Sequence, residues 1–155
     1  MSLVGKSAPD FTLLDSARKA VSLGEQRGHK VVIAFFPAAF TGVCEKELCS
    51  FRDAMAALNE LDARVLAISV DAPFSNAAFA QRNGLQFPVL SDYARTTVQA
   101  YGVAHADFAG MPGYTAAKRS VFVVAADGSV AWEWVAPSPS VEPDYEAVKA
   151  AVARA

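Results

Sequence analysis

The stretch VVIAFFPAAFTGVCEKELCSF, residues 31 to 51, decides how the rest of the chain is read. Its first part, VVIAFFP at 31 to 37, is a continuous apolar run rich in β-branched and aromatic residues, the pattern of a strand covered on both faces. The run stops at Pro37. From Cys44 onward the apolar positions Cys44, Leu48, Phe51, Met55 and Leu58 fall at steps of four, three, four and three, which predicts a helix over 43–61 that buries this stripe. Both cysteines of the chain, Cys44 and Cys49, therefore stand where a buried strand hands over to a helix. Open α/β sheets bind ligands at the carboxyl ends of their strands, where helix N-termini present unpaired N–H groups.

Outward from this stretch, strands and helices alternate. Residues 10–23 predict a small hairpin around the polar Asp15-Ser16 turn, RVLAISVD at 64–71 a second buried strand, and FPVLSD at 87–92 a short third one. AFAQRNG at 78–84 reads as a helix closed by Gly84, and TTVQAYGV at 96–103 as another ending at Gly102. In RSVFVVAADGSVAWEWV, residues 119–135, two apolar runs flank Asp127-Gly128, a strong hairpin signal. The tail SVEPDYEAVKAAVARA has an acidic start and a basic end, as the helix dipole prefers. The expected fold is an α/β layered domain with a mixed sheet, parallel in its first half and antiparallel in its second. At 155 residues the expectation is one domain over 1–155, large enough to bury a core without disulfide staples.

Fourteen Lys and Arg against sixteen Asp and Glu give a formal charge of -2, scattered without runs, which argues against a nucleic-acid surface. The start, MSLVGKSAPDF, has no apolar h-region, so the expectation is no secretory signal, no membrane anchor and a cytoplasmic address. In that reducing compartment a pair of thiols is more often redox-active or metal-binding than a structural staple. Zinc needs about four N or S ligands. Two Cys and the isolated His29 and His105 do not make such a site, and His105 reads as a loop residue. The Gly-rich piece GVAHADFAGMPG lacks the strand-to-helix context and spacing of a phosphate loop, so neither metal nor organic cofactor is expected.

A thiol is nucleophilic mainly as thiolate, a form favoured beside a helix N-terminus or a cation. Cys44 is expected in the first helical turn with Thr41 or Gly42 at the cap. Thr41 can turn its hydroxyl towards that sulfur or towards an oxygen bound there. Pro37 ends the strand without an N–H and, with Phe35, Phe36 and Phe40, keeps bulk water away. Against this stands the plainer reading of Cys44 as a small residue on an apolar stripe. Cys49, five residues along an intact helix, lies roughly 140° around the axis and about 7.5 Å further on. A disulfide needs Cα atoms within about 7 Å, so the two thiols join only if the first turns unwind. On the wheel Cys49 falls with Glu45, Asp53 and Glu60, near the surface. Either it attacks an oxidised Cys44 after unwinding, or it is a spare thiol. Arg52 reads as a solvated helix charge, and Trp132 and Trp134 as part of a core or contact face. Phe40, Phe74, Phe108 and Tyr93 are expected in loops, where a homodimer face near the site would lie.

PAAFTGVC, with Pro37, Thr41 and Cys44, resembles the Pro-x-x-x-Thr/Ser-x-x-Cys signature of peroxiredoxins, and the resemblance runs from APDFTL through KRSVFVV. It implies an elaborated thioredoxin-like fold and an antioxidant peroxidase activity on hydrogen peroxide and organic hydroperoxides. Cys44 would be the peroxidatic cysteine forming a sulfenic acid, with Thr41 and Arg119 orienting the peroxide and Pro37 shielding the site. Glu47, three after Cys44, matches a family Glu that holds such an arginine. The Cys pair at a spacing of five resembles the bacterioferritin-comigratory, or Q-type, subgroup, in which Cys49 would resolve Cys44 as an intrachain disulfide. FFPAAFTGVCEKEL and FPVLSDY also resemble the AhpE-like one-Cys group. The implied partners are a hydroperoxide and a thioredoxin- or glutaredoxin-like reductant. A one-Cys cycle with Cys49 a bystander, a thioredoxin-type disulfide reductase and a non-catalytic thioredoxin-fold binding module remain the alternatives. The second lacks its Cys-x-x-Cys.

Overall fold

The computed structural model describes residues 2–155, apart from the side chain of Met55, so the fourth position of the predicted stripe lies outside the described residues. The hairpin β1 (Thr12–Leu14) and β2 (Ala20–Ser22) forms as expected. β3 (Lys30–Phe35) leads past Pro37 into α1 (Gly42–Asp53) and α2 (Met55–Glu60). There follow β4 (Ala63–Ser69), α3 (Pro73–Asn83), β5 (Val89–Ser91) and α4 (Thr96–Ala100). A two-residue ladder of β6 (Ala104–His105) and β7 (Ala116–Ala117) precedes β8 (Ser120–Val124), β9 (Val130–Val135) and α5 (Tyr145–Arg154).

Seven strands form one mixed sheet in the order β2-β1-β5-β4-β3-β8-β9. β3 pairs parallel with β4 and antiparallel with β8, which makes it a central strand. Its side chains alternate between two dry faces, as period-2 geometry requires. Val32 and Ala34, with Phe36 just beyond, meet Leu48 and Phe51 of α1, Phe79 of α3 and Val148 and Val152 of α5. Val31, Ile33 and Phe35 face the other way, against Ile68, Val98, Tyr101 and Phe122. At the β8–β9 turn, Gly128 adopts a φ of 91°, and its N–H donates to the carbonyl of Ala125.

Several boundaries differ from expectation. The predicted helix over 43–61 breaks at Ala54, whose N–H is shared between the carbonyls of Ser50 and Phe51, so the spiral tightens there. The stripe survives the break, with Leu48, Phe51 and Leu58 all buried. α3 starts at Pro73 rather than at 78, since a proline fits the first helical turn, whose N–H has no intrahelical partner. Phe74 consequently sits on a helix and not in a loop. Gly84 ends α3 in the left-handed region, as predicted. His105 belongs to β6 instead of a loop, because its neighbour strand pairs it with Ala116. Trp132 and Trp134 are half-buried on the edge strand β9 and pack into the core shared by α1 and α5.

Phe122 is fully buried at 5.8 Å from Phe35 and 5.1 Å from Tyr101, ring centroid to centroid. Phe122→Ala is expected to cost about 3–5 kcal/mol, read as a lower midpoint in urea unfolding at unchanged slope.

Candidate active site

The carboxyl end of β3 and the start of β8 lie at the same edge of the sheet, since Phe35 is paired with Ser120. The chain leaves β3 through Phe36 and Pro37, turns at Phe40 with a φ of 65°, and enters α1 with Thr41 at the N-cap. Cys44 is thereby the third residue of the helix, in its first turn, and is fully buried. Arg119, directly ahead of β8, reaches it from the neighbouring strand: Nη2 donates to Sγ at 3.1 Å. The same guanidinium donates from Nη1 to Glu47 Oε1 at 2.8 Å. Its Nε and Nη2 donate to the carbonyl oxygen of Pro139, at 3.1 and 2.9 Å. Cys44, Glu47 and Arg119 are thus brought together, as three of the predicted site residues.

Arg119 and Glu47 form a buried ion-pair geometry, with side chains 2 % and 0 % exposed. Burial opposes the charge on Arg119, but Glu47 and Cys44 beside it outweigh that and raise its pKa, so it stays a cation. Glu47 behaves differently. Burial is the largest influence and pushes its carboxyl up from 4.5 to about 8; Arg119 counteracts this and the Glu142 carboxylate adds to it. Its Oε2 is buried and makes no hydrogen bond among the described residues.

Pro37, Thr41, Gly42, Val43, Phe108, Arg119, Pro139 and Ser140 enclose a cleft of about 250 Å³ over this group. Pro37 is on its wall, as expected. Thr41 is exposed, and its hydroxyl donates to the carbonyl of Ala38 at 2.9 Å instead of capping the helix or pointing its hydrogen at sulfur. Phe40 is 47 % exposed and stacks edge-on against Phe79, so it shields the core more than the sulfur.

Cys49 is half-buried, not freely exposed. Its Sγ lies 3.5 Å from Asn83 Oδ1, at the end of α3. Arg52 is no purely solvated charge: Nη1 donates to the carbonyl of Asn83 at 2.6 Å while Nε holds Asp53. α1 is continuous from Gly42 to Asp53, so both cysteines sit on one intact helix as free thiols. Two further contributors escape sequence reasoning. The carbonyl of Pro139 carries no side-chain signature at all. Asp71, beyond β4, accepts the Ala39 N–H at 2.8 Å and so pins the loop that carries Thr41; only its place after a buried strand hinted at it.

Residues 4–133 match the AhpC/TSA family. The chain is a peroxiredoxin of that family. It is 42 % identical over 130 residues to alkyl hydroperoxide reductase E of Mycobacterium tuberculosis, covering 82 % of this chain and 81 % of the relative. A stretch of 100 residues is 43 % identical to the putative peroxiredoxin bcp of Haemophilus influenzae, covering 64 % of each chain. Among solved structures, peroxidoxin BcpB from Mycobacterium tuberculosis superposes with a TM-score of 0.85 at 28 % identity, over 98 % of this chain and 97 % of that one. The peroxiredoxin, a thiol-dependent peroxidase, accordingly has the thioredoxin-like mixed sheet that its sequence implied.

The Glu47 environment makes stability depend on pH. Between 4.5 and about 8 the folded state holds a proton on Glu47 that the unfolded chain has given up, so this group's contribution is present below 4.5 and lost as pH rises to about 8. Glu47→Gln lacks that slope. Urea unfolding at both ends of the window should find the variant gaining on the native protein at the alkaline end; a constant difference between them would contradict the burial account.

Proposed function

We propose that this peroxiredoxin reduces hydrogen peroxide and small organic hydroperoxides with Cys44 as the peroxidatic thiol. The single observation that carries the reading is the Arg119 guanidinium 3.1 Å from the Cys44 sulfur in the first turn of α1. A fixed cation and the helix-start N–H groups stabilise negative charge at that sulfur. The thiolate attacks the terminal peroxide oxygen; an S–O bond forms, the O–O bond breaks, and Cys44 becomes a sulfenic acid while an alkoxide or hydroxide departs. Arg119 has five N–H groups, and its bonds to Cys44, Glu47 and Pro139 leave one Nη1 hydrogen for a peroxide oxygen. Thr41 donates to Ala38 and keeps its oxygen lone pairs for the peroxide O–H. Pro37, Val43 and Phe108 line the cleft and limit water around the reacting atoms.

Cys49 then condenses with the sulfenic acid, releasing water and forming an intrachain disulfide. This requires α1 to unwind, because an intact helix holds the two Cα atoms more than about 8 Å apart. A thioredoxin- or glutaredoxin-like dithiol returns both to thiols, which places the cycle in a reducing compartment such as the cytoplasm. Thiol chemistry of this kind calls for no metal or organic cofactor. Phe40, Phe74 and Tyr93, at 47 %, 68 % and 54 % exposure, favour a homodimer face beside the site. The whole of 1–155 acts as one domain in this reading.

A one-Cys cycle is the second reading, favoured by the hold of Asn83 on Cys49 and by the continuity of α1. Peptide mass mapping after one equivalent of peroxide separates the two: a Cys44 to Cys49 linkage within one chain is expected, and a lasting Cys44 sulfenic acid would favour the second. Cys44→Ser should abolish peroxidase turnover. Cys49→Ser should leave the first peroxide reaction unchanged but slow turnover with a thioredoxin system; undiminished multiple turnover would remove the resolving assignment.

A further inference from the structure

Arg119 is one buried cation facing two groups that can each become an anion, Cys44 and Glu47. If both ionise, a net negative charge is enclosed where low polarisability makes it expensive. The Glu47 carboxyl has one oxygen on Arg119 and the other, Oε2, buried without a hydrogen-bond partner among the described residues. A carboxylate with a bare buried oxygen is the form such a site tolerates least.

The other charged and titratable groups facing Glu47 act in the same direction. Glu142, on the segment before α5, is opposed by its own partial burial, yet the Tyr145 hydroxyl and the Lys46 ammonium hold its carboxyl below the usual range. The Tyr145 hydroxyl donates to Glu142 Oε1 at 2.7 Å and Lys46 lies 3.1 Å from Oε2. Glu142 is therefore an anion near Glu47, and Lys46 is spent on it. Tyr145 is kept neutral chiefly by burial. Arg119 alone can balance a charge on Glu47, and it is shared with sulfur.

We propose that Cys44 and Glu47 share a single proton across Arg119: Glu47 is the carboxylic acid while Cys44 is the thiolate, and it surrenders that proton when sulfur is oxidised. The inference rests on the peroxidatic reading of Cys44 above. Balanced for hydrogen peroxide, the step is thiolate, peroxide and Glu47 acid going to sulfenic acid, water and Glu47 carboxylate. The S–O bond forms and the O–O bond breaks; sulfur gives up two electrons, and the departing hydroxide takes one proton. As charge leaves sulfur, the guanidinium is released to Glu47, whose carboxylate then becomes the favoured form. Glu47 does not touch the peroxide, so its proton reaches hydroxide by way of solvent. It acts through Arg119, as a positioning residue whose charge alternates with that of the sulfur.

Difference infrared spectroscopy of the intact protein, before and after one equivalent of hydrogen peroxide at neutral pH, tests this. Oxidation should erase a protonated-carboxyl band and create a carboxylate band, both moved by isotopic labelling of glutamate carboxyls and both missing in Glu47→Gln. Oxidation of Cys44, to sulfenic acid or onward to the disulfide, with no loss of a protonated glutamate band overturns the inference and leaves the peroxidatic reading intact. No oxidation of Cys44 at all, neither to sulfenic acid nor to its disulfide with Cys49, overturns both. Kinetics supply a second readout: the neutral amide of Glu47→Gln stands in for the carboxylic acid and can still accept from Arg119, so the rate–pH profile of the peroxide reaction should keep its midpoint. A midpoint moved to lower pH would mean that Glu47 is a carboxylate beside the thiolate in the native protein, and would also overturn the proposal.

Discussion

A guanidinium with almost no exposed surface has to find acceptors for its N–H groups inside the protein, and at Arg119 those acceptors are a thiol sulfur, a carboxyl and a backbone carbonyl. Removing any one would leave a buried charge poorly matched, so the three are held in fixed relation. Cys44 and Glu47 come from adjacent turns of α1, spaced by three so that they share a face. Pro139 comes from the segment joining β9 to α5. Two separate parts of the chain are thus locked to one side chain carried by a third.

The sheet makes that meeting possible. Antiparallel pairing of β3 with β8 in a register that opposes Phe35 to Ser120 puts the loop after β3 beside the residue before β8. A one-residue slip would turn every side chain of β8 to the wrong core and move Arg119 with it. Burial of Val121 and Val123 on one face and Phe122 and Val124 on the other therefore fixes the position of Arg119. On the far side of the loop, Asp71 holds the Ala39 N–H at the end of β4. Packing and site geometry are two aspects of the same pairing.

Strong local patterns were legible in the sequence. The apolar run of β3, the stripe of α1, the Asp127-Gly128 turn and the Gly84 stop all follow from periodicity or from backbone freedom at a single residue. The strand-to-helix junction that carries Pro37, Thr41 and Cys44 was legible through their spacing, and the meeting of Arg119 with Glu47 through the resemblance. What escaped depends on neighbours remote in sequence. The break at Ala54 leaves the hydrophobic stripe undisturbed and so has no signal. The early start of α3 turns on a proline that reads equally as a loop residue. The half-burial of Cys49 and the capture of Arg52 both come from Asn83, on another helix. A backbone acceptor such as the Pro139 carbonyl is available at every position and marks none.

In the proposed reading, a fixed cation and a helix start make the Cys44 sulfur a far better nucleophile towards peroxide than an ordinary thiol. Stopped-flow measurement of sulfenic acid formation at neutral pH, against free cysteine under the same conditions, decides whether it does. The second-order rate constant of the protein is expected to be greater by orders of magnitude. A rate constant no larger than that of free cysteine would contradict it.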